Sequence, residues 1–302
     1  MKIFVTGVGG QLGYDTVNEL TKRGFSVYAS DIAAEYSGAN PFTFPEKVNY
    51  ISLDITDEAK VKAVFDKYSP DTVIHCAAWT NVDGAEDAEN RKKVFAINEG
   101  GTKNIALACK DIDAKMIYIS TDYVFNGEGE KPWEPDNTQY APLNVYGESK
   151  LAGEMAVRDN LDKFFIVRIA WVFGKNGKNF IKTMLNVAKN HDEVRVVNDQ
   201  IGTPTYTYDL ARLLADMSQS EKYGYYHATN EGGFISWYDF TKEIYAQAGL
   251  STKVIPVTTA EYGISKAKRP FNSRLDKSKL VQNGFEPLPS WQDALSRYLK
   301  EI

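Results

Sequence analysis

Tyr146 and Lys150 stand four residues apart in Tyr-Gly-Glu-Ser-Lys. On a helix that spacing puts a phenol and an ammonium on one face, about one turn apart. A nearby positive charge favours phenolate and lowers a tyrosine pKa from roughly 10 toward neutrality. Such a phenol can give a proton to a ketone oxygen, or take one from an alcohol. Alone, the pair is also an ordinary helix start. Two further groups give it a chemical setting: Gly7, Gly10 and Gly13 near the start, and Ser120-Thr121-Asp122-Tyr123-Val124-Phe125 just ahead of it.

The glycines follow an apolar run, Lys2–Thr6, and open a helical stretch. Glycine permits a tight turn and close approach of backbone to a pyrophosphate, and the helix N-terminus then offers free N–H groups. Position 12 is leucine, so G-x-G-x-x-G is not satisfied; Gly7-x-x-Gly10-x-x-Gly13 is, with Gln11 and Leu12 inside it. Asp31, ending the second strand, is placed to accept hydrogen bonds from ribose hydroxyls and to repel a 2′-phosphate. NADH is therefore expected over NADPH, with Lys22 and Arg23 nearby leaving NADPH acceptance open. Asp54 and Ile55 end the third strand; they could meet an adenine, or Asp54 could be a turn residue. Ala77 and Ala78 end the fourth with small side chains suited to a cofactor, or simply to packing. Thr80 and Val82 follow at the carboxyl edge of the sheet, where ligands bind in such folds. Thr121, at the end of the fifth strand, can bond a substrate carbonyl and share its proton with Tyr146.

These residues need a frame. Strands are predicted at Lys2–Thr6, Ser26–Ser30, Val48–Leu53, Thr72–Cys76, Met116–Ser120 and Phe164–Ile169, apolar on both faces as buried parallel strands are. Helices are predicted between them at Gln11–Arg23, Asp57–Tyr68, Glu89–Lys110 and Val145–Asn160. The fold class is α/β, a doubly wound parallel sheet of Rossmann type. After Arg168 the rhythm changes to helices (Asn179–Asn190, Tyr208–Ser218, Trp237–Ala248, Ser290–Lys300) joined by longer loops, with a late strand at Tyr225–Ala228. The predicted division is residues 1–168 plus about 206–229 for the dinucleotide, and about 169–205 plus 230–302 for a smaller substrate lobe.

Composition sets outer bounds. The 302 residues are 43% hydrophobic and 25% charged, with net charge −5 and no basic run. Nucleic acid is not an expected partner. No stretch of 18 apolar residues suggests a membrane span. Met1–Gly7 enters a strand directly, without the pattern of a signal peptide, and Cys76 and Cys109 read as buried thiols. A reducing cytoplasm is the expected location. His75 and His227 read as core residues.

Taken together, the motifs resemble the extended short-chain dehydrogenases/reductases and, more narrowly, the dTDP-4-dehydrorhamnose reductase family, over nearly the whole chain. The resemblance rests on Thr6-Gly7-x-x-Gly10-Gln11-Leu12-Gly13, Ala77-Ala78-Trp79-Thr80-Asn81-Val82-Asp83 and Ser120-Thr121-Asp122-Tyr123-Val124-Phe125. It continues through Tyr146-Gly-x-x-Lys150, Arg168-x-x-Trp171-x-x-Gly174, Asp199-Gln200-x-Gly202-x-Pro204-Thr205 and Arg269-Pro270-x-Asn272-Ser273. It implies NAD(P)H-dependent reduction of the C4 ketone of a nucleotide 6-deoxy-4-keto sugar, dTDP-4-dehydro-L-rhamnose to dTDP-L-rhamnose. Thr121, Tyr146 and Lys150 would be the catalytic set, with Asn98 supporting the lysine. Thr80, Val82, Asp122, Tyr123 and Trp171 would line the sugar and base pocket, and Arg269, Asn272 and Ser273 would meet the diphosphate. The nucleotide sugar is the expected partner, and a monomer or a homodimer fits equally. Some relatives hold Mg2+ at a dimer interface through glutamates; here the first helix runs Gly13-Tyr14-Asp15, so no metal is predicted. Rival readings are another nucleotide-sugar reductase, an epimerase or a dehydratase of the same superfamily, or a non-catalytic regulatory subunit. Tyr123, where a dehydratase would carry glutamate, argues against the dehydratase.

Overall fold

A computed structural model describes residues 1–263 and 265–302. Six strands of the first half are β1 (Lys2–Thr6), β2 (Ser26–Asp31), β3 (Val48–Ser52), β4 (Thr72–His75), β5 (Lys115–Thr121) and β6 (Phe164–Ile169). With strand Gly224–His227 they form one seven-stranded sheet in the order 224–227, β6, β5, β4, β1, β2, β3. Every pairing is parallel, from Ile3 opposite Val27 to Tyr225 opposite Ile166. This is the doubly wound α/β fold expected.

Both faces of the sheet are covered, and its inner strands are buried on both sides, β4 entirely and β1 but for Lys2. On one face Ile3, Val5 and Val27 pack with Val17 and Leu20 of helix α1 (Gln11–Lys22) and with Leu210 and Leu214 of helix Thr207–Ser218. On the other, Phe4, Val73 and Met116 meet Val61 and Phe65 of helix α2 (Glu58–Tyr68), Ile105 and Val157. A third apolar cluster, with Phe173, Tyr206, Phe240, Trp291 and Tyr298, forms the core of the C-terminal helical region.

The structure departs from the sequence expectation in several places, two of them substantial. The single helix predicted at Glu89–Lys110 is Ala88–Phe95, a π-helical stretch Ala96–Gly101, then Thr102–Asp111. A Cβ at Gly101 would lie 2.6 Å from Ile55 Cδ1, so this backbone sits against the loop that follows β3, and the wider turn absorbs the fit. Strands Glu193–Val197 and Lys253–Val257, which pair in parallel, were not foreseen.

The order reverses at β1, which lies between β4 and β2. Chains leaving β1 and β4 therefore turn to opposite faces, opening a crevice at their carboxyl ends.

Candidate active site

At that crevice lies a cleft of about 630 Å³. Its floor is the loop between β1 and α1. Gly7 has φ +70°, and a Cβ there would lie 2.6 Å from the Ala77 nitrogen. A Cβ on Gly13 would lie 2.3 Å from the Gly7 carbonyl oxygen. These two positions admit only glycine without displacement. Gly10 is the N-cap of α1, with no side chain capping the helix and no acid in its first turn. Its first N–H groups, with the positive end of the helix dipole, are thus directed at the cleft.

Asp31 stands at the end of β2, on the cleft rim. Its Oδ2 accepts the Gly9 N–H at 2.8 Å and its Oδ1 the Ile32 N–H at 2.8 Å. The carboxylate therefore braces the loop and also faces the cleft. Asp54 lines the cleft and also caps its own turn, accepting from Thr56 N and Oγ1 at 2.9 and 2.7 Å. Gly7, Gly10, Gln11, Leu12, Gly13, Ile55, Ala77, Ala78, Thr80 and Val82 also line the space. This floor fits a dinucleotide: glycine backbone and bare N–H groups for a pyrophosphate, an acid for a ribose, small side chains under a ring.

The opposite wall is helix Val145–Arg158. Asn144 caps it, its side-chain oxygen accepting the Gly147 N–H at 2.8 Å. A Cβ at Gly147 would lie 2.3 Å from the Tyr123 carbonyl oxygen, so glycine after Tyr146 lets the helix start press against the Ser120–Phe125 segment. Tyr146, Lys150, Thr121, Asp122 and Tyr123 all face the cleft. The Tyr123 and Tyr146 rings meet edge to face, 5.7 Å apart.

The electrostatics differ from the sequence expectation. Burial pushes the Tyr146 phenol above its ordinary value, and the charge of Asp122 adds to the rise, against a hydrogen bond with Thr121. Lys150 does not offset this rise. Burial pulls the amine down to about 7, and its Nζ donates to the Ile119 carbonyl at 2.8 Å while lying 4.1 Å from the centroid of the Tyr118 ring. Desolvation outweighs the one-turn spacing here, and Tyr146 is a protonated acid at neutral pH. Asp122 is raised by burial to about 6, opposed by hydrogen bonds from Ser273 and Thr121. Thr121 Oγ1 donates to Asp122 Oδ1 at 3.0 Å and accepts the Tyr123 N–H at 3.3 Å.

Asn98 is wholly buried and does not reach Lys150 directly: its Oδ1 accepts the Trp79 N–H at 2.7 Å and its amide donates to Ser149 Oγ at 2.9 Å. Arg269, Asn272 and Ser273 lie behind the cleft wall. Arg269 pairs with Asp83 at 2.8 Å and donates to the Tyr123 hydroxyl at 3.2 Å. Asn272 donates to the Glu128 and Lys131 carbonyls, and Ser273 Oγ to Asp122 Oδ2. Trp171, with φ +51°, lines the cleft and stacks at 3.7 Å on Trp237, a lining residue that no motif pointed to. Lys178, on the following loop, is another. Among the described residues no cluster of acids, histidines or cysteines could hold a metal.

A doubly wound sheet with a glycine loop and a Thr-Tyr-Lys set across one cleft defines a dinucleotide-dependent enzyme of the short-chain dehydrogenase/reductase class. The family model described as RmlD substrate binding domain matches residues 1–302. The spore coat polysaccharide biosynthesis protein SpsK of Bacillus subtilis is 39% identical, over 99% of this chain and 97% of its own. The dTDP-4-dehydrorhamnose reductase of Streptomyces griseus is 37% identical, over 97% and 91%. The crystal structure of dTDP-4-dehydrorhamnose reductase from Bacillus anthracis in complex with NADP superposes with TM-score 0.89 at 38% identity, covering 100% of this chain and 99% of that one. The chain belongs to the RmlD family, the dTDP-4-dehydrorhamnose reductases.

Proposed function

We infer that this protein reduces the C4 ketone of a dTDP-linked 6-deoxy-4-keto sugar with NAD(P)H, converting dTDP-4-dehydro-L-rhamnose to dTDP-L-rhamnose. Family membership supports the reaction class. The observation that carries the site is the meeting of Thr121, Tyr146 and Lys150 with the glycine loop on one cleft. The nicotinamide, when bound, supplies the hydride. Tyr146, kept protonated by burial, gives its proton to the ketone oxygen. Thr121 reaches the same oxygen by turning its hydroxyl proton away from Asp122. Lys150 stabilises the phenolate left behind and binds the nicotinamide ribose. Thr80, Val82, Asp122, Tyr123 and Trp171 contact the sugar and base, while Arg269, Asn272 and Ser273 hold the wall that faces the diphosphate.

Asp31 favours NADH, and with one carboxylate at the rim NADPH is accepted more weakly. The division into a dinucleotide part (1–168 plus about 206–229) and a substrate lobe belongs to the same reading, as does a cytoplasmic location. No described helix is long and apolar enough to cross a membrane. The test follows NADH and NADPH consumption spectrophotometrically with dTDP-4-dehydro-L-rhamnose beside a UDP-linked analogue. Rapid oxidation with the dTDP sugar is expected. No oxidation with any 4-keto sugar nucleotide would overturn the reading in favour of a non-catalytic subunit.

A further inference from the structure

The helix that carries Tyr146 and Lys150 bears a third polar residue at the same spacing, Glu154. It is wholly buried, as is its partner Arg168 on β6. The Glu154 carboxylate accepts Arg168 Nε at 2.8 Å, Arg168 Nη2 at 2.7 Å and Ser120 Oγ at 2.5 Å. Arg168 donates its remaining N–H groups to the Pro135 carbonyl and the Tyr140 hydroxyl, each at 3.0 Å, and faces His227 Nε2 at 3.4 Å. Neither Glu154 nor Arg168 lines the cleft.

Burying an ion pair is a poor route to stability, because desolvation commonly exceeds the attraction gained. The position of this one suggests another use. Ser120 lies between Ile119, whose carbonyl accepts Lys150 Nζ, and Thr121. One carboxylate therefore fixes the strand end that presents Thr121 and the carbonyl that accepts Lys150 Nζ, and it sits one helical turn from that ammonium.

We propose that Glu154 is a positioning residue for the reduction, holding Ser120 so that Ile119 and Thr121 stay in register with Lys150, and keeping an anion beside the Lys150 amine. The proposal rests on the catalytic reading of Thr121, Tyr146 and Lys150 given above. The groups facing Lys150 support it. From the end of β4 comes His75, which burial drives down to about 3, and just after it Cys76, which burial drives up to about 12, so both are neutral at pH 7. From β5 comes the ring of Tyr118, whose phenol burial also raises. Tyr146, on the lysine's own helix, is raised by burial too, with Asp122 beyond it. Arg168 lies behind Glu154 on β6. Glu154 is the foremost charge opposing the desolvation of Lys150.

The test is a titration of Lys150 by the 13Cε NMR signal of lysine-labelled protein, assigned with Lys150→Met, in the wild type and Glu154→Gln. Removing a neighbouring anion is expected to lower the Lys150 midpoint by about one pH unit or more, and to move the alkaline limb of kcat the same way. Glu154→Gln leaves Arg168 without its partner and can fail to fold. The double variant Glu154→Gln/Arg168→Met removes both charges, and a smaller shift in the same downward direction is expected in it, because Arg168 lies behind Glu154. An unmoved midpoint and limb in a folded variant would overturn the proposal and leave the pair a structural one. The NMR titration needs no turnover, so a wild type inactive on every sugar nucleotide would remove the proposed function while the shift still reported on Glu154.

Discussion

Two helices that begin at the cleft, α1 and Val145–Arg158, begin in opposite ways. Helix α1 starts at Gly10 with no capping side chain and no acid in its first turn. Helix Val145–Arg158 starts closed: Asn144 caps Gly147 N and ties its amide to the Lys268 carbonyl, and the Glu86 carboxylate accepts the Val145 N–H at 2.8 Å. A free helix start is a ready anion site. A satisfied one is rigid, and rigidity is what proton transfer over a fixed distance requires. One end of the cleft keeps its hydrogen bonds in reserve for a ligand, and the other commits them to holding reactive atoms still.

The sharpest break in this contrast is Tyr146→Phe, which keeps the closed wall and removes its acid. We expect kcat to fall by at least about 10²-fold with NADH affinity nearly unchanged; wild-type turnover in the variant would discard the assignment. The open end is broken by filling it. Gly10 has φ −79° and ψ 176°, compatible with an aspartate cap, and a Cβ there meets only the Gly7 carbonyl oxygen, at 3.2 Å. Gly10→Asp is expected to weaken NADH binding at least about tenfold by setting a carboxylate against phosphate, while Tm holds or rises through the added cap. Unchanged affinity by fluorescence titration would mean that the pyrophosphate lies elsewhere.

Asp122 tests the closed end by pH. Its folded pKa is raised from 3.8 to about 6 by burial, so between those values the folded chain holds a proton that the unfolded chain has lost. Stability therefore falls as pH rises through this window, by up to about 3 kcal/mol. Asp122→Asn should flatten that slope in denaturant melts, and coincident slopes in variant and wild type would show that Asp122 does not titrate there. The smallest effect is expected of Asn144→Ala, which opens the closed helix start at a stability cost of about 1 kcal/mol; a Tm unchanged within error would count against the contrast itself.

Much of this was legible from residue order. The six strands of the first half and the late strand near Tyr225 are local apolar runs, and local pattern suffices for them. The glycine positions were legible because close approach excludes other side chains. What was not legible depends on distant partners. Arg269 reads as a phosphate ligand, and its pairing with Asp83, 186 residues away, is not visible in residue order. The depressed Lys150 and raised Tyr146 follow from burial, which spacing does not report. The break at Ala96–Gly101 needs Ile55 to explain it. Trp237 reads as the apolar start of a helix, and only the stack on Trp171 brings it to the cleft.

That stack has an optical consequence. Two indoles 3.7 Å apart and 14° from parallel are close enough for their electronic transitions to mix, which gives a paired near-ultraviolet circular dichroism band that a lone tryptophan lacks. Because one ring is carried on the strand-to-loop turn after β6 and the other on helix Trp237–Gln247, the band is an intrinsic gauge of their separation. Its change on adding nucleotide sugar would register, without any attached dye, whether the two sides of the cleft move.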